Sequence, residues 1–380
     1  MSDNRLERLH DAGVSIWLDF IDRTILRNGD LARRIRDEAL TGMTSNPTIF
    51  EKALAEGSEY DDQIRSAPGE LTAMELFELI ATTDVRDACD IFRPTFERLK
   101  GVDGFVSIEV SPSAANDAQA TISEATRLWA TVDRPNVFVK VPGTVEGAKA
   151  VRKLTANGVN VNITLLFSLE AYERVIEAYM AGLEDRVEQG KDIRSIHSVA
   201  SFFVSRVDTE TDKRLDAAIK SGAKDQQVLE SLKGKAAIAN AKLAYRLYQN
   251  SIASSRWKAL AAKGATVQRP LWASTSTKNP AYRDVMYVEE LIGPDTVNTM
   301  PPQTITAFLD HGVVKRTVDV DVDKAQQAID TLEQHGILMR DVTDKLLVDG
   351  VASFQKSFDD LIAGLHKKTK ALGKELVESR

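Results

Sequence analysis

A lysine stands inside an apolar stretch of this sequence. Lys140 lies in "NVFVKVPG", residues 136–143, with apolar side chains at positions 137–139 and 141. One interpretation is ordinary, since a lysine in a strand usually extends its ammonium to the surface. The other is functional, because a nearly continuous apolar run is typical of a parallel strand covered on both faces, where loss of water disfavours the charged ammonium. A neutral amine attacks carbonyl carbon, so Lys140 is either a surface residue or a candidate nucleophile.

Further polar residues lie near the ends of six other apolar stretches. Two are the carboxylates Asp19 and Glu109, and most of the rest offer hydroxyl, amide or cationic groups. Each has an ordinary interpretation as a helix cap, a turn residue or a strand former, and Arg206 as a surface partner of Asp208 or Glu210. Seven consecutive stretches nevertheless bring such groups to comparable positions, which favours one shared site. In chain order the candidates are Asp19; Thr44, Ser45 and Asn46; Glu109; Lys140; Asn162 and Thr164; Ser201, Phe203 and Arg206; Ser274, Ser276 and Lys278.

This set of groups suits Schiff-base chemistry on a sugar phosphate. Lys140 would attack a ketone, and a carboxylate would shuttle protons while the adduct loses water. The resulting iminium accepts electrons, so that a neighbouring C–C bond can break, and the second carboxylate would take the proton of the departing hydroxyl. Asn46, Asn162, Thr164 and Ser201 suit a polyhydroxylated substrate, whereas Arg206, Ser276 and Lys278 suit a phosphate, whose oxygens bind guanidinium and ammonium groups.

The apolar stretches read as eight strands separated by helical segments. Strands alternating with helices indicate parallel β–α units, and eight of them predict a (β/α)8 barrel, an α/β fold whose chemistry lies at the carboxyl ends of the strands. The predicted strands are residues 14–20, 40–46, 104–110, 136–142, 159–167, 197–205, 269–275 and 296–301.

Two regions exceed what a plain barrel needs. Residues 47–103 are too long for one crossover helix, and two or three helices are expected there, after strand two. Residues 339–380 have apolar positions at helical spacing, and packing on the barrel is favoured over a dimer contact. No Pro-, Ser- or Gly-rich linker divides the chain, so we expect one barrel domain over residues 1–380, with residues 311–380 forming a C-terminal insert and helices packed on it.

Composition excludes several classes of protein. The net charge of −7 gives no support for a nucleic-acid partner, and the single cysteine, Cys89, suits a reducing compartment. The five histidines are scattered, which argues against a metal site, and no glycine-rich nucleotide motif occurs, so no cofactor is expected. The charged N-terminus lacks a signal-peptide core, and no apolar run could span a membrane. The expected location is the cytoplasm.

Three stretches resemble one known family. "GMTSNPTIFEKAL", residues 42–54, is similar to the signature that follows strand two in transaldolases. "VFVKVPGTVEGAKAVRKL", residues 137–154, resembles their active-site segment with its lysine on strand four, and "VNVNITLLFS", residues 159–168, is very similar to their strand-five motif. The resemblance runs from about residue 14 to about residue 310, and the combination is highly specific.

The resemblance implies a cofactor-free enzyme of the non-oxidative pentose phosphate pathway. Such an enzyme moves a dihydroxyacetone unit from sedoheptulose 7-phosphate or fructose 6-phosphate to glyceraldehyde 3-phosphate or erythrose 4-phosphate. By resemblance, Lys140 forms the Schiff base, Glu109 acts as acid and base with a water held by Thr164, and Asp19 is the base at the cleaved bond. The resemblance also assigns Asn46 and Asn162 to the donor hydroxyls and imine, Ser201 and Phe203 to the pocket wall, and Arg206 to the phosphate.

The sequence departs from the better-known members of the family at two places. After strand seven they carry Ser-x-Arg, whereas this chain offers Ser276 and Lys278 in "WASTSTKNP". A lysine binds phosphate as a point charge, so the phosphate contacts are less defined than the catalytic ones. The chain also has an insert at residues 311–336, as in the longer transaldolase subgroup, for which the sequence suggests only extra packing.

Two other functions compete with transfer. The first is an aldolase of the same fold that releases free dihydroxyacetone, against which stand Glu109, Thr164 and the length of the chain. The second is an inactive barrel that only binds sugar phosphates, against which stands a buried lysine accompanied by two carboxylates. The sequence decides neither the preferred donor and acceptor nor whether the protein is a monomer or a homodimer.

Overall fold

Eight parallel strands close into a barrel in which each strand pairs with its neighbours in chain order. The computed structural model describes residues 4–55 and 57–377. All eight predicted strands are present and the predicted (β/α)8 architecture is confirmed. The strands are β1 Val14–Asp19, β2 Leu40–Thr44, β3 Phe105–Glu109, β4 Val137–Pro142, β5 Val161–Leu166, β6 Ser198–Phe203, β7 Gln268–Ala273 and β8 Thr296–Met300.

Helices surround the barrel and connect successive strands. In the described residues they are α1 Arg5–Asp11, α2 Arg23–Arg27, α3 Asp30–Asp37, α4 Pro47–Ala55, α5 Asp61–Ser66, α6 Ala73–Arg98, α7 Ala118–Val132, α8 Val145–Asn157, α9 Leu169–Glu188, α10 Ser205–Lys220, α11 Gln226–Leu232, α12 Ala236–Ala253, α13 Ser255–Ala261, α14 Met286–Glu289, α15 Pro302–His311, α16 Val322–Gln334 and α17 Met339–Ala371. A short 3₁₀ helix, Pro112–Ala114, follows β3.

Strand register lines up the central candidate residues. Glu109 pairs with Lys140 across β3 and β4, and Lys140 pairs with Asn162 across β4 and β5. Since side chains alternate between the two faces of a strand, paired residues point to the same side of the sheet. The run "VFVKVP" is buried throughout, as expected of a barrel strand covered by helices.

Aromatic side chains fill the barrel below the candidate site. The Trp17 ring lies against Gly42, where an added Cβ would come within 2.5 Å of the indole, and Trp17 Nε1 donates to Asp103 Oδ1 at 2.9 Å. The Phe138 ring is 4.3 Å from that of Phe105, centroid to centroid. Because this layer is packed, the open space lies beyond it, toward the carboxyl ends of the strands.

The extra helices lie where the sequence predicted them, but the C-terminal helix ends earlier than predicted. Residues 47–103 hold three of them, α4, α5 and α6. The predicted C-terminal helix begins at Met339 but ends at Ala371, since Gly373 adopts a left-handed φ of 72° that terminates a helix. Residues 372–377 lie outside the helix, and the predicted helical positions 378–380 fall outside the described residues.

The C-terminal helix α17 lies against helices on the carboxyl side of the barrel. The Thr48 hydroxyl of α4 donates to Ser357 Oγ at 2.8 Å. The Phe358 ring meets that of Phe77, on α6, edge to face at 5.6 Å. No helix in residues 4–55 and 57–377 combines the length and apolar character that crossing a membrane requires.

Candidate active site

A cavity of about 820 Å³ opens at the carboxyl ends of the strands. Eleven of the candidate residues were given a catalytic or substrate-binding role, and nine of these line the cavity: Asp19, Asn46, Lys140, Thr164, Ser201, Phe203, Arg206, Ser276 and Lys278. The other two, Glu109 and Asn162, lie behind its wall and are bonded to lining residues. The structure therefore brings the predicted set together, although the roles assigned to its members remain predictions.

Lys140 is buried, which excludes the interpretation as a surface lysine. Its side chain is 7% exposed, and Nζ donates to Glu109 Oε2 at 2.9 Å and to the Ser45 carbonyl oxygen at 2.9 Å. Ser45 is itself held, because its hydroxyl donates to the Ser107 carbonyl at 2.8 Å. The amine is thus fixed at the cavity wall with a carboxylate as its immediate proton partner.

Glu109 is a carboxyl group with an unusually strong tendency to hold a proton. Burial raises its pKa, the adjacent Lys140 ammonium lowers it, and the charge of Asp19 raises it further, with a net upward shift. An upward shift of its pKa makes the carboxylate better able to take up a proton and pass it on, as acid–base catalysis requires. Its distance from Lys140 permits direct proton transfer between the two.

Asp19 is positioned by a chain of hydroxyl groups. Thr44 Oγ1 donates to Asp19 Oδ1 at 2.7 Å and lies 2.6 Å from Thr299 Oγ1. Because Thr44 has one hydroxyl proton, the Thr299 hydroxyl must donate to Thr44. Burial raises the pKa of Asp19, and the Thr44 hydrogen bond and the charges of Lys140 and Lys278 oppose that rise only in part.

One ordinary interpretation fails, that of Asp19 as a helix cap, and one holds, that of Asn46 as a turn residue. The cap of α2 is Asp22, whose side chain accepts from Ile25 N, so Asp19 does not serve as that cap. Asn46 does have a turn role, since its Oδ1 accepts from Ile49 N at 3.0 Å, yet it also lines the cavity.

An amide links the side chains of three strands beneath the cavity. Asn162 Nδ2 donates to Ser107 Oγ at 3.0 Å, and its Oδ1 accepts from the Ser201 hydroxyl at 2.7 Å. Asn162 is fully buried, so its bonds orient Ser201 at the cavity wall. This placement suits a residue that fixes the site from below.

Thr164 lies at the cavity wall, next to an irregularity in β5. The register with β6 shifts between Ile163 and Leu166, and Leu165 adopts a left-handed φ of 59°. Such bulges redirect side chains and occur next to active sites. Thr164 Oγ1 is buried and makes no hydrogen bond to another part of the chain that the structure describes, which leaves it able to hold a small hydroxylic molecule.

Two cations face the cavity from the segments that follow β6 and β7, Arg206 at the start of α10 and Lys278 after β7. Lys278 Nζ donates to Ser276 Oγ at 2.7 Å. Burial, followed by the nearby Arg206 charge, lowers the pKa of Lys278, and burial also lowers the pKa of Arg206. Adjacent cations that share a partly buried wall form a site for an anion with several oxygens.

The alternative role of Arg206 as a surface partner is wrong. Glu210 pairs with Arg214 at 2.9 Å, and Asp208 accepts from Ala237 N and the Tyr287 hydroxyl. Within the described residues no carboxylate lies at salt-bridge distance from Arg206.

Several residues of the cavity wall were not predicted from the sequence, and two of them contact predicted site residues. Thr299, which orients Thr44, comes from β8, and its position in the polar run "TVNTMP" was a usable signal. Phe354 comes from α17, where helical spacing predicted only packing. Among residues 4–55 and 57–377, no His, Cys, Asp and Glu side chains are grouped as a metal site would need.

Comparison with known proteins identifies the family of this chain. Residues 16–365 match the family model of transaldolase/fructose-6-phosphate aldolase, which extends well beyond the resemblance noted from motifs and includes the insert. The chain is 47% identical over 378 residues to a transaldolase of Trichodesmium erythraeum, covering 98% of this chain and 99% of that protein. It is 49% identical over 372 residues to a transaldolase of Acidothermus cellulolyticus, covering 97% and 98%. The chain therefore belongs to the transaldolase/fructose-6-phosphate aldolase family, as a transferase of the transaldolase type.

Proposed function

We propose that this enzyme transfers a dihydroxyacetone unit between sugar phosphates through a Schiff base on Lys140. The donors are sedoheptulose 7-phosphate or fructose 6-phosphate, and the acceptors are glyceraldehyde 3-phosphate or erythrose 4-phosphate. The observation that carries the proposal is the contact between Lys140 Nζ and Glu109 Oε2 at 2.9 Å, at the wall of a cavity that also holds Asp19, Arg206 and Lys278.

The first half of the reaction attaches the donor. Lys140 passes a proton to Glu109, and its amine attacks the ketone carbon to form a carbinolamine. Glu109, with a water bound at Thr164, returns a proton to the hydroxyl, which leaves as water, and the nitrogen lone pair forms the iminium. Asn46, Asn162 and Ser201 supply amide and hydroxyl groups for the donor hydroxyls and the imine.

The second half breaks and remakes a C–C bond. Asp19 takes the proton of the hydroxyl on the carbon beyond the bond, the bonding electrons move into the iminium, and an aldose phosphate leaves an enamine on Lys140. Attack of the enamine on an acceptor aldehyde, with the proton returned from Asp19, reverses these steps, and water then releases the product. Arg206, Lys278 and Ser276 bind the phosphate of the donor, release it with the departing aldose phosphate and then bind that of the acceptor, beside Phe203.

Transfer is favoured over the release of free dihydroxyacetone by the residues around Lys140. A carboxyl group in direct contact with the amine, together with Thr164 at the cavity wall, serves both attachment and delivery to an acceptor. We also propose that residues 1–380 act as one barrel domain, with 311–380 packed on it, in the cytoplasm, without a cofactor, as a monomer or a homodimer.

Borohydride trapping with fructose 6-phosphate tests the proposal. A reduced dihydroxyacetone adduct is expected on the Lys140 peptide and not on that of Lys242, a second buried lysine whose side chain is 9% exposed. Erythrose 4-phosphate should discharge the adduct before reduction, whereas an aldolase would release dihydroxyacetone without it. Folded protein with excess donor and no adduct, or an adduct elsewhere, would contradict the mechanism.

A further inference from the structure

The C-terminal helix α17 approaches the phosphate end of the cavity closely. Gly350 and Phe354 are four residues apart and so lie on one face of the helix. A Cβ at Gly350 would stand 3.0 Å from Leu165 Cδ2 and 3.8 Å from Arg206 Nη1. The backbone of α17 at this position therefore lies close to the β5 bulge and to Arg206.

Phe354 occupies the next turn of that face and contributes to the cavity wall. It is 6% exposed, and its ring centroid is 5.9 Å from Arg206 Cζ. The ring of Phe203 is 5.4 Å from the same atom. Arg206 therefore lies against two aromatic rings, one from β6 and one from a helix about 150 residues further along the chain.

Aromatic rings hold a guanidinium differently from a carboxylate. A ring face attracts the cation through its quadrupole and uses none of the N–H donors, whereas a carboxylate would occupy two of them. In the described chain Arg206 makes neither a salt bridge nor a hydrogen bond. Its N–H groups thus stay available for a ligand while the rings restrict its position.

We infer that Phe354 is a positioning residue of the phosphate site, which holds the Arg206 guanidinium against Phe203 so that it presents its N–H donors to a phosphate monoester. This inference rests on the proposed function and assigns a role in substrate binding to α17. Affinity for phosphorylated sugars then depends on the docking of α17, which is fixed one turn further on by the Thr48–Ser357 hydrogen bond.

Three variants separate positioning from simple packing. Phe354→Leu keeps an apolar side chain and removes the ring, whereas Phe354→Tyr keeps the ring. Phe358→Leu is the matched control, because Phe358 lies on the same helix and packs on Phe77 without meeting Arg206. Circular dichroism and thermal unfolding establish that each variant is folded.

The first measurement is calorimetric binding of inorganic phosphate, which requires no catalysis. Phe354→Leu is expected to weaken binding about 3- to 10-fold, as loss of a partly buried cation–π contact predicts, while Phe354→Tyr and Phe358→Leu stay within about twofold of the starting protein. Equal weakening by Phe354→Leu and Phe358→Leu, or none by Phe354→Leu, would overturn the inference.

The second measurement is steady-state kinetics with fructose 6-phosphate and with unphosphorylated fructose, each with glyceraldehyde as acceptor. Phe354→Leu should raise KM for the phosphorylated donor more than it lowers kcat, and the ratio of the two donors' kcat/KM should fall. An equal loss for both donors would contradict a phosphate role. If the starting protein binds phosphate but transfers no dihydroxyacetone unit, the proposed function is refuted. The phosphate titration of the variants would still show whether Phe354 positions Arg206.

Discussion

Lys140 and Glu109 form an ion pair in which both side chains are buried. Their side chains are 7% and 6% exposed, and Nζ lies 2.9 Å from Oε2. The protein surrounds the pair with the packed strands of the barrel, and the only other hydrogen bond of the ammonium within the described chain goes to the Ser45 carbonyl. Each buried charge of such a pair is compensated by the other, so removing one residue leaves the other charge uncompensated. The effect on stability should therefore depend on which of the two residues is replaced.

Removing the lysine should cost stability in a pH-dependent manner. In Lys140→Met, Glu109 loses the charge that lowered its pKa while burial continues to raise it. A carboxyl group whose pKa is higher in the folded than in the unfolded state destabilises the fold above its folded pKa, and this penalty disappears as the pH falls toward the unfolded value. The loss of unfolding free energy relative to the starting protein should therefore be smaller at pH 5 than at pH 8.

Urea unfolding at the two pH values measures this difference. Glu109→Gln is the comparison, because it retains the ammonium and has no carboxyl group to protonate at that position, so its loss should not shrink at pH 5. Equal losses at pH 5 and pH 8 for Lys140→Met would show that Glu109 stays ionised in the barrel. Both variants should lose turnover by orders of magnitude.

Asp19 is expected to be required for activity and to lower the stability of the fold. Asp19→Asn keeps an oxygen that accepts from Thr44 and removes a charge whose burial raises the pKa of the group. Near neutral pH the variant should gain unfolding free energy, because the amide avoids the cost of burying the Asp19 charge. The gain should vanish as the pH falls through the pKa of Asp19, because the native carboxyl group is then neutral as well.

The same variant should separate two chemical steps. Schiff-base formation with dihydroxyacetone uses Lys140 and Glu109 and should still be trapped by borohydride in Asp19→Asn. Cleavage of fructose 6-phosphate should be lost, since no base remains for its hydroxyl proton. Loss of trapping with dihydroxyacetone, on folded protein, would place Asp19 in the attachment step instead.

Local patterns predicted the barrel and most of its site for a physical reason. A strand inside a barrel shows its burial as an unbroken apolar run, and a charged residue such as Lys140 is conspicuous there. The carboxyl ends of parallel strands meet at one rim, so the polar groups that follow each run could be grouped without coordinates. The two interpretations of Arg206 differed in its partner, either a carboxylate on its own helix or a substrate phosphate. Only the folded structure shows that Glu210 pairs with Arg214 instead.

Features that depend on long-range packing could not be predicted in this way. The bulge at Leu165 is a backbone irregularity of a residue with no turn preference, and it shows only in the pairing of β5 with β6. Phe354 belongs to an amphipathic helix, and helical periodicity indicates that a face is buried without indicating against what. Its contact with Arg206 joins residues from two distant parts of the chain, for which neither segment carries a local signal.

We expect Tyr282 to position the loop of residues 274–285, which follows β7 and carries Lys278. The Tyr282 hydroxyl donates to Asp212 Oδ2 at 2.6 Å, and Asp212 Oδ1 accepts from Gly234 N at 3.0 Å. Asp212 lies on α10, the helix that also carries Arg206, so this contact ties the Lys278 loop to the second cation of the phosphate site. Tyr282→Phe should raise KM for fructose 6-phosphate about threefold, the effect of one lost hydrogen bond of somewhat under 1 kcal/mol.

Tyr179→Phe provides the control for that measurement. The Tyr179 hydroxyl donates to the Thr266 carbonyl at 2.9 Å, just before β7 begins and so far from the carboxyl ends of the strands. Its removal should lower stability without changing KM. An unchanged KM in Tyr282→Phe, or equal changes in the two variants, would mean that the loop keeps its position without the tyrosine.

A second carboxyl group on α10 should make the stability of the fold depend on pH. Burial raises the pKa of Asp208 to about 7, against which hydrogen bonds from Ala237 N and the Tyr287 hydroxyl act only in part. Because the folded pKa lies above the unfolded value of about 4, this residue favours the fold most when it is protonated. Its contribution should fall as the pH rises from about 4 to about 7 and stay low above that range.

Asp208→Asn should flatten the pH dependence of stability. The effect of the substitution on the unfolding free energy should change sign between low and high pH. The new amide oxygen can accept from Ala237 N, and its NH₂ group then faces the Tyr287 oxygen and can donate to it. The buried Tyr287 proton must turn away and loses its acceptor, which costs about 1 kcal/mol. Below pH 5 the variant should therefore be the less stable protein. Above pH 7 the native residue carries a buried charge that the amide lacks, and the variant should be the more stable one. Unfolding free energies from pH 5 to pH 8 should cross, and parallel curves would show that Asp208 keeps one protonation state throughout.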